Sequence, residues 1–177
     1  MLNKLLSPIG AIVLIVILAI TTGYFIFSGG GNPNSASTKA LFAATFPDEK
    51  GQAHALKQYE GKIIVLNFWA TWCEPCREEM PELSTLHSEG KNKNIVVLGV
   101  AIDDANAISE FTKQTKVSYP LFAADMQGME LASNLGNDKG VLPYTVIIKA
   151  DGSVAKTYFG RVTKPLLEET LLTLSQK

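Results

Sequence analysis

Residues 62–76 read Lys62-Ile63-Ile64-Val65-Leu66-Asn67-Phe68-Trp69-Ala70-Thr71-Trp72-Cys73-Glu74-Pro75-Cys76. The stretch from Lys62 to Ala70 is β-branched and apolar, the pattern of a strand buried on both faces. Beyond it Met80, Leu83 and Leu86 recur at spacings of three with charged residues between them, so a helix follows. The protein's 2 cysteines both lie at the junction, as C-x-x-C. A cysteine at a strand-to-helix turn meets the positive end of the helix, which favours its thiolate. The second sulfur, three residues on, turns inward and can close a disulfide. The arrangement is a dithiol switch.

Two other readings of the pair compete with this one. Inert structural cysteines seldom come as C-x-x-C at a helix N-terminus. A zinc half-site would need further ligands, and the candidates His54 and His87 lack the spacing of a zinc knuckle. Composition narrows the field further. The chain has 177 residues, 46% hydrophobic and 19% charged, which fits one globular domain plus a small apolar appendage. A net charge of -1 leaves no basic surplus for nucleic acid. With both cysteines in one motif there is no disulfide framework, so the compartment must be read from the N-terminus.

No charged residue occurs between Lys4 and Lys39. Ile9 to Phe27 is an apolar run of about 19 residues, enough for a helix to cross a ~30 Å hydrocarbon core. Tyr24 and Phe25 suit an interfacial position, and Lys4 places positive charge on the side that stays cytoplasmic. The run exceeds the h-region of a cleaved signal peptide, and no small-x-small site directly follows it. An uncleaved anchor over residues 1–28 is therefore expected. Gly29 to Thr38 is a tether by composition, giving a linker over 29–40 and a folded domain over 41–177.

Within that domain, Leu41 to Phe46 and Gln52 to Leu56 alternate around Pro47-Asp48-Glu49-Lys50-Gly51, which reads as a small hairpin. His54 in it is expected at a surface or edge. Pro81 bends the helix after the cysteines, and His87 near its end is expected to face solvent. Ile95 to Ile102 is a second buried strand. Asp103-Asp104 would cap a helix carrying Ala105, Ile108 and Phe111 inward. Tyr119 to Ala124 reads as a short strand and Gln127 to Leu135 as a helix ended by Gly136-Asn137. Val146 to Ile148 and Val154 to Phe159 flank an Ala150-Asp151-Gly152-Ser153 turn. Thr163 caps a last helix with Leu167, Leu171 and Leu174 inward. Alternating strands and helices closed by an antiparallel hairpin give an α/β fold, a mixed sheet covered on both faces.

Asn67 to Pro81, with W-C-x-x-C, a proline five residues after Cys76 and a downstream Leu142-Pro143 before a strand, resembles the active-site stretch of the thioredoxin superfamily. It is most similar to the membrane-anchored TlpA/ResA branch, over roughly residues 41 to 175. The resemblance implies a thioredoxin-like fold with an N-terminal hairpin, a strand–helix insertion and a cis bond before Pro143. Cys73 is expected to attack a substrate disulfide and Cys76 to resolve the mixed disulfide. Thioredoxin's buried aspartate is replaced by Asn67, and the branch uses a glutamate three residues after the second cysteine, here Glu79, to modulate cysteine protonation. Trp72, Glu74 and Pro75, with Pro143 and the Leu142 and Tyr144 backbone, are the expected substrate contacts; Trp69 is expected in the core. No organic cofactor and no metal are implied. The implied partners are a membrane-embedded thiol transporter as electron donor and oxidised exported proteins as targets, apocytochrome c or copper-site proteins first among them. The implied place is the extracytoplasmic face of a bacterial cytoplasmic membrane. A disulfide oxidase or isomerase, and a copper-binding chaperone, are the competing functions.

Overall fold

The computed structural model describes residues 38–175. The expected anchor over 1–28 and most of the tether fall outside these residues. Among the described residues no helix is long and apolar enough to cross a membrane.

In chain order the elements are α1 (Lys39–Ala43), β1 (Thr45–Pro47), β2 (Ala53–Ala55), a 3-10 turn (Leu56–Tyr59), β3 (Ile63–Trp69), α2 (Glu74–Gly90), β4 (Ile95–Ala101), α3 (Ala105–Gln114), β5 (Leu121–Ala123), α4 (Asp125–Asn134), β6 (Tyr144–Ile148), β7 (Val154–Phe159) and α5 (Lys164–Ser175). Five strands form the main sheet in the order β5-β4-β3-β6-β7. The β3–β4 and β4–β5 pairs are parallel, while β6 runs antiparallel to β3 and to β7. This is the mixed, thioredoxin-like α/β sheet that the alternation of elements predicts.

The two-residue period of β3 sorts its side chains between two cores. Val65 and Trp69 face α2 and α5, where they meet Met80, Leu83, Leu86, Leu167 and Leu171. Ile64, Leu66 and Phe68 face the other way, onto Leu41 of α1, Phe46 of β1 and Leu131 of α4. Asn67 falls between Val65 and Trp69 and so points at α2. Across the sheet it is in register with Gly99 of β4 on one side and Thr145 of β6 on the other. Gly99 must be glycine: a Cβ there would come within 2.6 Å of Leu121 Cδ2 and 3.1 Å of Trp69 Nε1.

Three expectations need correction. The first half of the Leu41–Phe46 piece is helical, because Leu41 is drawn into the core and Ala44 N–H closes a turn onto the Leu41 carbonyl. The hairpin itself is β1 with β2, Phe46 opposite His54, its turn held by Asp48 Oδ1 accepting from the Lys50 and Gln52 amides. His54, half-buried, completes that turn with a 2.9 Å contact to Asp48 Oδ2. Second, α4 begins at Asp125, two residues earlier than the apolar pattern indicated, with Asp125 at φ 46°. Asparagine and aspartate tolerate that left-handed conformation better than other residues with a Cβ.

Third, His87 does not face solvent. It is buried, and its Nδ1 accepts the Val97 N–H at 3.2 Å. The reason lies in the short partner strand. Gly99 N–H points toward β5 and reaches the Pro120 carbonyl, but β5 starts only opposite Gly99. Val97, two residues upstream, points its N–H the same way with no strand to receive it, and the imidazole takes that place. Burial, then the charge of Lys91, lowers the His87 pKa and keeps the ring a neutral acceptor. Replacing it with leucine is expected to strand the Val97 N–H. Urea unfolding of His87→Leu should show a loss of about 1–3 kcal/mol; a variant as stable as wild type would mean that the contact contributes nothing.

Candidate active site

The cysteines sit where β3 runs out. Past Trp69 the chain folds through a turn in which the Cys73 N–H reaches the Ala70 carbonyl at 3.1 Å. The next strand steadies this turn: Thr71 N–H donates to Asp103 Oδ2 at 2.6 Å. Asp103 and Asp104 thus divide the work expected of both, since only Asp104 caps α3, by accepting from the Ala107 N–H. Cys73 is the N-cap of α2, in extended conformation. Pro75, in the first turn, forfeits no helical hydrogen bond. Cys73 and Cys76 form a disulfide with a Cα–Cα distance of 5.3 Å. Their exposure differs: 6% for Cys73 and none for Cys76. An incoming thiolate therefore reaches Cys73 first, and Cys76 is the inner partner. Trp72 stands beside them 68% exposed, while Trp69 is fully buried, as expected of a core residue.

The Leu142–Pro143 bond is cis. Tyr144 pairs with Phe68 at the end of β3 from which the cysteine turn departs, so this loop leaves the sheet at the same edge. Leu142 packs against the core cluster that contains both cysteines. The Pro143 carbonyl is taken by the Gly160 N–H at 2.8 Å. The Tyr144 side chain is buried on the opposite face, its hydroxyl donating to the Leu135 carbonyl at 2.7 Å. Only its backbone can therefore belong to a binding edge. Glu74 and Pro75 are exposed on the first turn of α2.

Glu79 lies one turn below Cys76 on the same face of α2. Its carboxylate is fully buried. Asn67 Nδ2 donates to Oε1 at 2.7 Å, and the Val162 N–H donates to Oε2 at 2.8 Å. Burial raises the Glu79 pKa to about 7 against the pull of the Val162 and Asn67 hydrogen bonds and the Arg161 charge. Its neighbours on α2 hold the same segment by its exposed side. Arg161 pairs with Glu78 at 3.1 Å and the Lys164 N–H donates to Glu82 at 2.6 Å. Tyr119 is buried in the same core, its pKa raised by burial and then by the Glu79 charge.

The sequence marks the cysteines, and the family resemblance marks Glu79, but neither points to Asp103's hold on Thr71 or to Thr145 and Val162 near the Glu79 carboxylate. Thr145 is found only once the β3–β6 register is known, and Val162 acts through its backbone, which leaves no mark in the sequence. Neither histidine belongs to the cysteine turn, since His54 is engaged by Asp48 and His87 by Val97.

Residues 38–157 match the AhpC/TSA family. The thiol-disulfide oxidoreductase ResA of Bacillus cereus is 31% identical over 172 residues, spanning 96% of this chain and 95% of that protein. ResA of Geobacillus kaustophilus is 31% identical over 164 residues, 91% of each. Among solved structures, a thioredoxin-related protein of Neisseria meningitidis serogroup B superposes with a TM-score of 0.65 at 29% identity, over 76% of this chain and all of that one. A thiol:disulfide interchange protein of Chlorobium tepidum gives 0.67 at 21% identity, over 82% and 99%, a likeness of fold. The chain belongs to the AhpC/TSA family and, within it, to the ResA group: it is a thiol–disulfide oxidoreductase that carries its C-x-x-C pair at Cys73 and Cys76.

Proposed function

We propose that this oxidoreductase works in the reducing direction, on disulfides of exported proteins, at the outer face of a bacterial cytoplasmic membrane. Residues 1–28 would anchor it and a membrane-embedded thiol transporter would supply its electrons. The observation that carries the reading is the buried Glu79 one turn below Cys76. In the reduced state the Cys73 thiolate attacks a substrate disulfide and expels one substrate sulfur as a thiolate, leaving a mixed disulfide. Cys76 then gives its proton to Glu79 and attacks Cys73 Sγ. The second substrate sulfur leaves, two electrons have passed to the substrate, and the Cys73–Cys76 disulfide is restored. Release of the Glu79 proton resets the site.

Direction depends on how strongly the reduced form is held. A very acidic first cysteine makes a strong oxidant, because its thiolate over-stabilises the reduced state. Here the helix N-terminus favours negative charge at Cys73, while the exposed Glu74 carboxylate beside it and the sulfur's own burial oppose it. The balance favours a reductase over an oxidase. Trp72 offers an exposed apolar contact, and the Leu142 backbone beside the cis Pro143 offers strand-like hydrogen bonds to an extended segment. An apocytochrome c bearing C-x-x-C-H, or a copper-site protein with a cysteine pair, fits that edge. A copper chaperone would need a further soft ligand near the sulfurs, and both histidines are engaged elsewhere.

Two experiments test this reading. A Cys76→Ser variant mixed with an oxidised C-x-x-C-H peptide should accumulate a mixed disulfide through Cys73, seen as a mass increment that dithiothreitol removes. No adduct would contradict the assignment. The second uses pH. Glu79 titrates near 7 in the fold against 4.5 in the open chain. Between those values the native state holds a proton that the unfolded state has lost, so this contribution to stability is whole below pH 4.5 and gone above 7. His87, with a lowered pKa, has the opposite slope in wild type and variant alike. The stability difference between wild type and Glu79→Gln in the disulfide form should therefore change by on the order of 3 kcal/mol from pH 4 to pH 8. A pH-independent difference would contradict the assignment of a titrating Glu79.

A further inference from the structure

We propose that the Asn67 carboxamide turns over with the proton on Glu79, presenting N–H to the carboxylate and its carbonyl to the acid. Asn67 is then a positioning residue for the exchange, and the inference rests on reading Glu79 as the proton acceptor of Cys76.

The two carboxylate oxygens of Glu79 are held by donors of different kinds. Oε2 is fixed by a backbone donor, Val162 N–H at 2.8 Å, which cannot rearrange. Oε1 is met by Asn67 Nδ2 at 2.7 Å and by no other hydrogen-bonding group among the described residues. A proton taken up by Glu79 settles on Oε1, because the donor there is a side-chain amide that can turn, whereas the Val162 N–H on Oε2 cannot. The new O–H then faces an N–H, two donors with no acceptor between them. Both side chains are fully buried, so bulk solvent does not relieve the mismatch.

The acceptor that the acid needs is already present. Asn67 Oδ1 is buried and has no hydrogen-bond partner among the described residues. The carbonyl and the NH2 group are close to the same size, so turning the amide over exchanges them without repacking. Its other contact permits the turn. Nδ2 also donates to Thr145 Oγ1 at 3.0 Å, and a hydroxyl that accepts from N–H can equally donate to a carbonyl. After the turn Oδ1 accepts from Glu79 and from Thr145. Among the described residues no hydrogen-bond partner holds the carbonyl end of the amide, so Glu79 decides which way it points.

The proton balance is closed. One proton leaves Cys76 Sγ, arrives on Glu79 Oε1, and the amide reverses. When Glu79 gives the proton up, the amide returns. Aspartate here would add a second buried carboxylate, and leucine would satisfy neither form of Glu79. Asparagine serves both.

The test is NMR on the uniformly 13C,15N-labelled full-length protein in its disulfide form, from pH 5 to 9. The Glu79 Cδ shift should titrate, and the NOE from the Asn67 side-chain amide protons to Thr145 should be present above that midpoint and lost below it. A Glu79 carbon that titrates while this NOE persists would overturn the switch and leave the Glu79 reading standing. A Glu79 carbon that does not titrate would overturn both. Asn67→Leu gives an independent reading. The bond to the ionised form is the stronger one, so its loss should raise the Glu79 midpoint by about one pH unit. An unmoved midpoint in a less stable protein would reduce Asn67 to a packing residue.

Discussion

A carboxylate buried under a disulfide is the constraint to which the rest of this domain answers. An ionised Glu79 is costly away from water unless hydrogen bonds meet it. The two that do come from the central strand and from the segment ahead of the last helix, so the carboxylate joins β3, α2 and the approach to α5 at one point. The exposed ion pairs of Arg161 with Glu78 and Glu82 lie over the same junction. Surface pairs of this kind contribute little on their own, and their place over Val162 suggests a part in holding its N–H on the carboxylate. Were Glu79 exposed, it would titrate as an ordinary surface acid.

The sheet gives this site its accuracy. Gly99, Asn67 and Thr145 occupy one row across β4, β3 and β6. Each member suits its position: glycine where Leu121, Trp69 and Tyr119 crowd in, asparagine under the carboxylate, threonine where a reversible hydroxyl is needed. Asp103 extends the same logic to the loop above, holding Thr71 from the end of the neighbouring strand. The cysteine turn is therefore tied to parallel strands on one side and, through the edge it shares with Pro143, to antiparallel ones on the other.

Much of this was legible in the residues. The β3 run announced a strand buried on both faces, and Met80, Leu83 and Leu86 announced α2. The cysteine pair at their junction announced the chemistry, and Leu142-Pro143 the facing loop through its family resemblance. What stayed hidden depends on strand lengths and registers. His87 looked like a polar residue near a helix end, because nothing local reveals that β5 stops short of Val97. The helix at Lys39–Ala43 rests on the burial of Leu41 and is too short for a periodic pattern to show it. The partners of Glu79 include a backbone amide 83 positions away and an asparagine that sequence alone marked only as a missing aspartate. The cysteine pair was readable; the contacts that hold its turn in place needed the fold.

The proposed reducing direction rests on Glu74 and the burial of Cys73 opposing a second negative charge at the helix N-terminus. The most direct measurement is the equilibrium reduction potential of the Cys73–Cys76 couple in the full-length protein, poised against dithiothreitol and glutathione buffers. A value close to or below that of thioredoxin, about -270 mV, is expected of a reductase. A value well above about -180 mV would contradict it and place the protein with enzymes that form or rearrange disulfides.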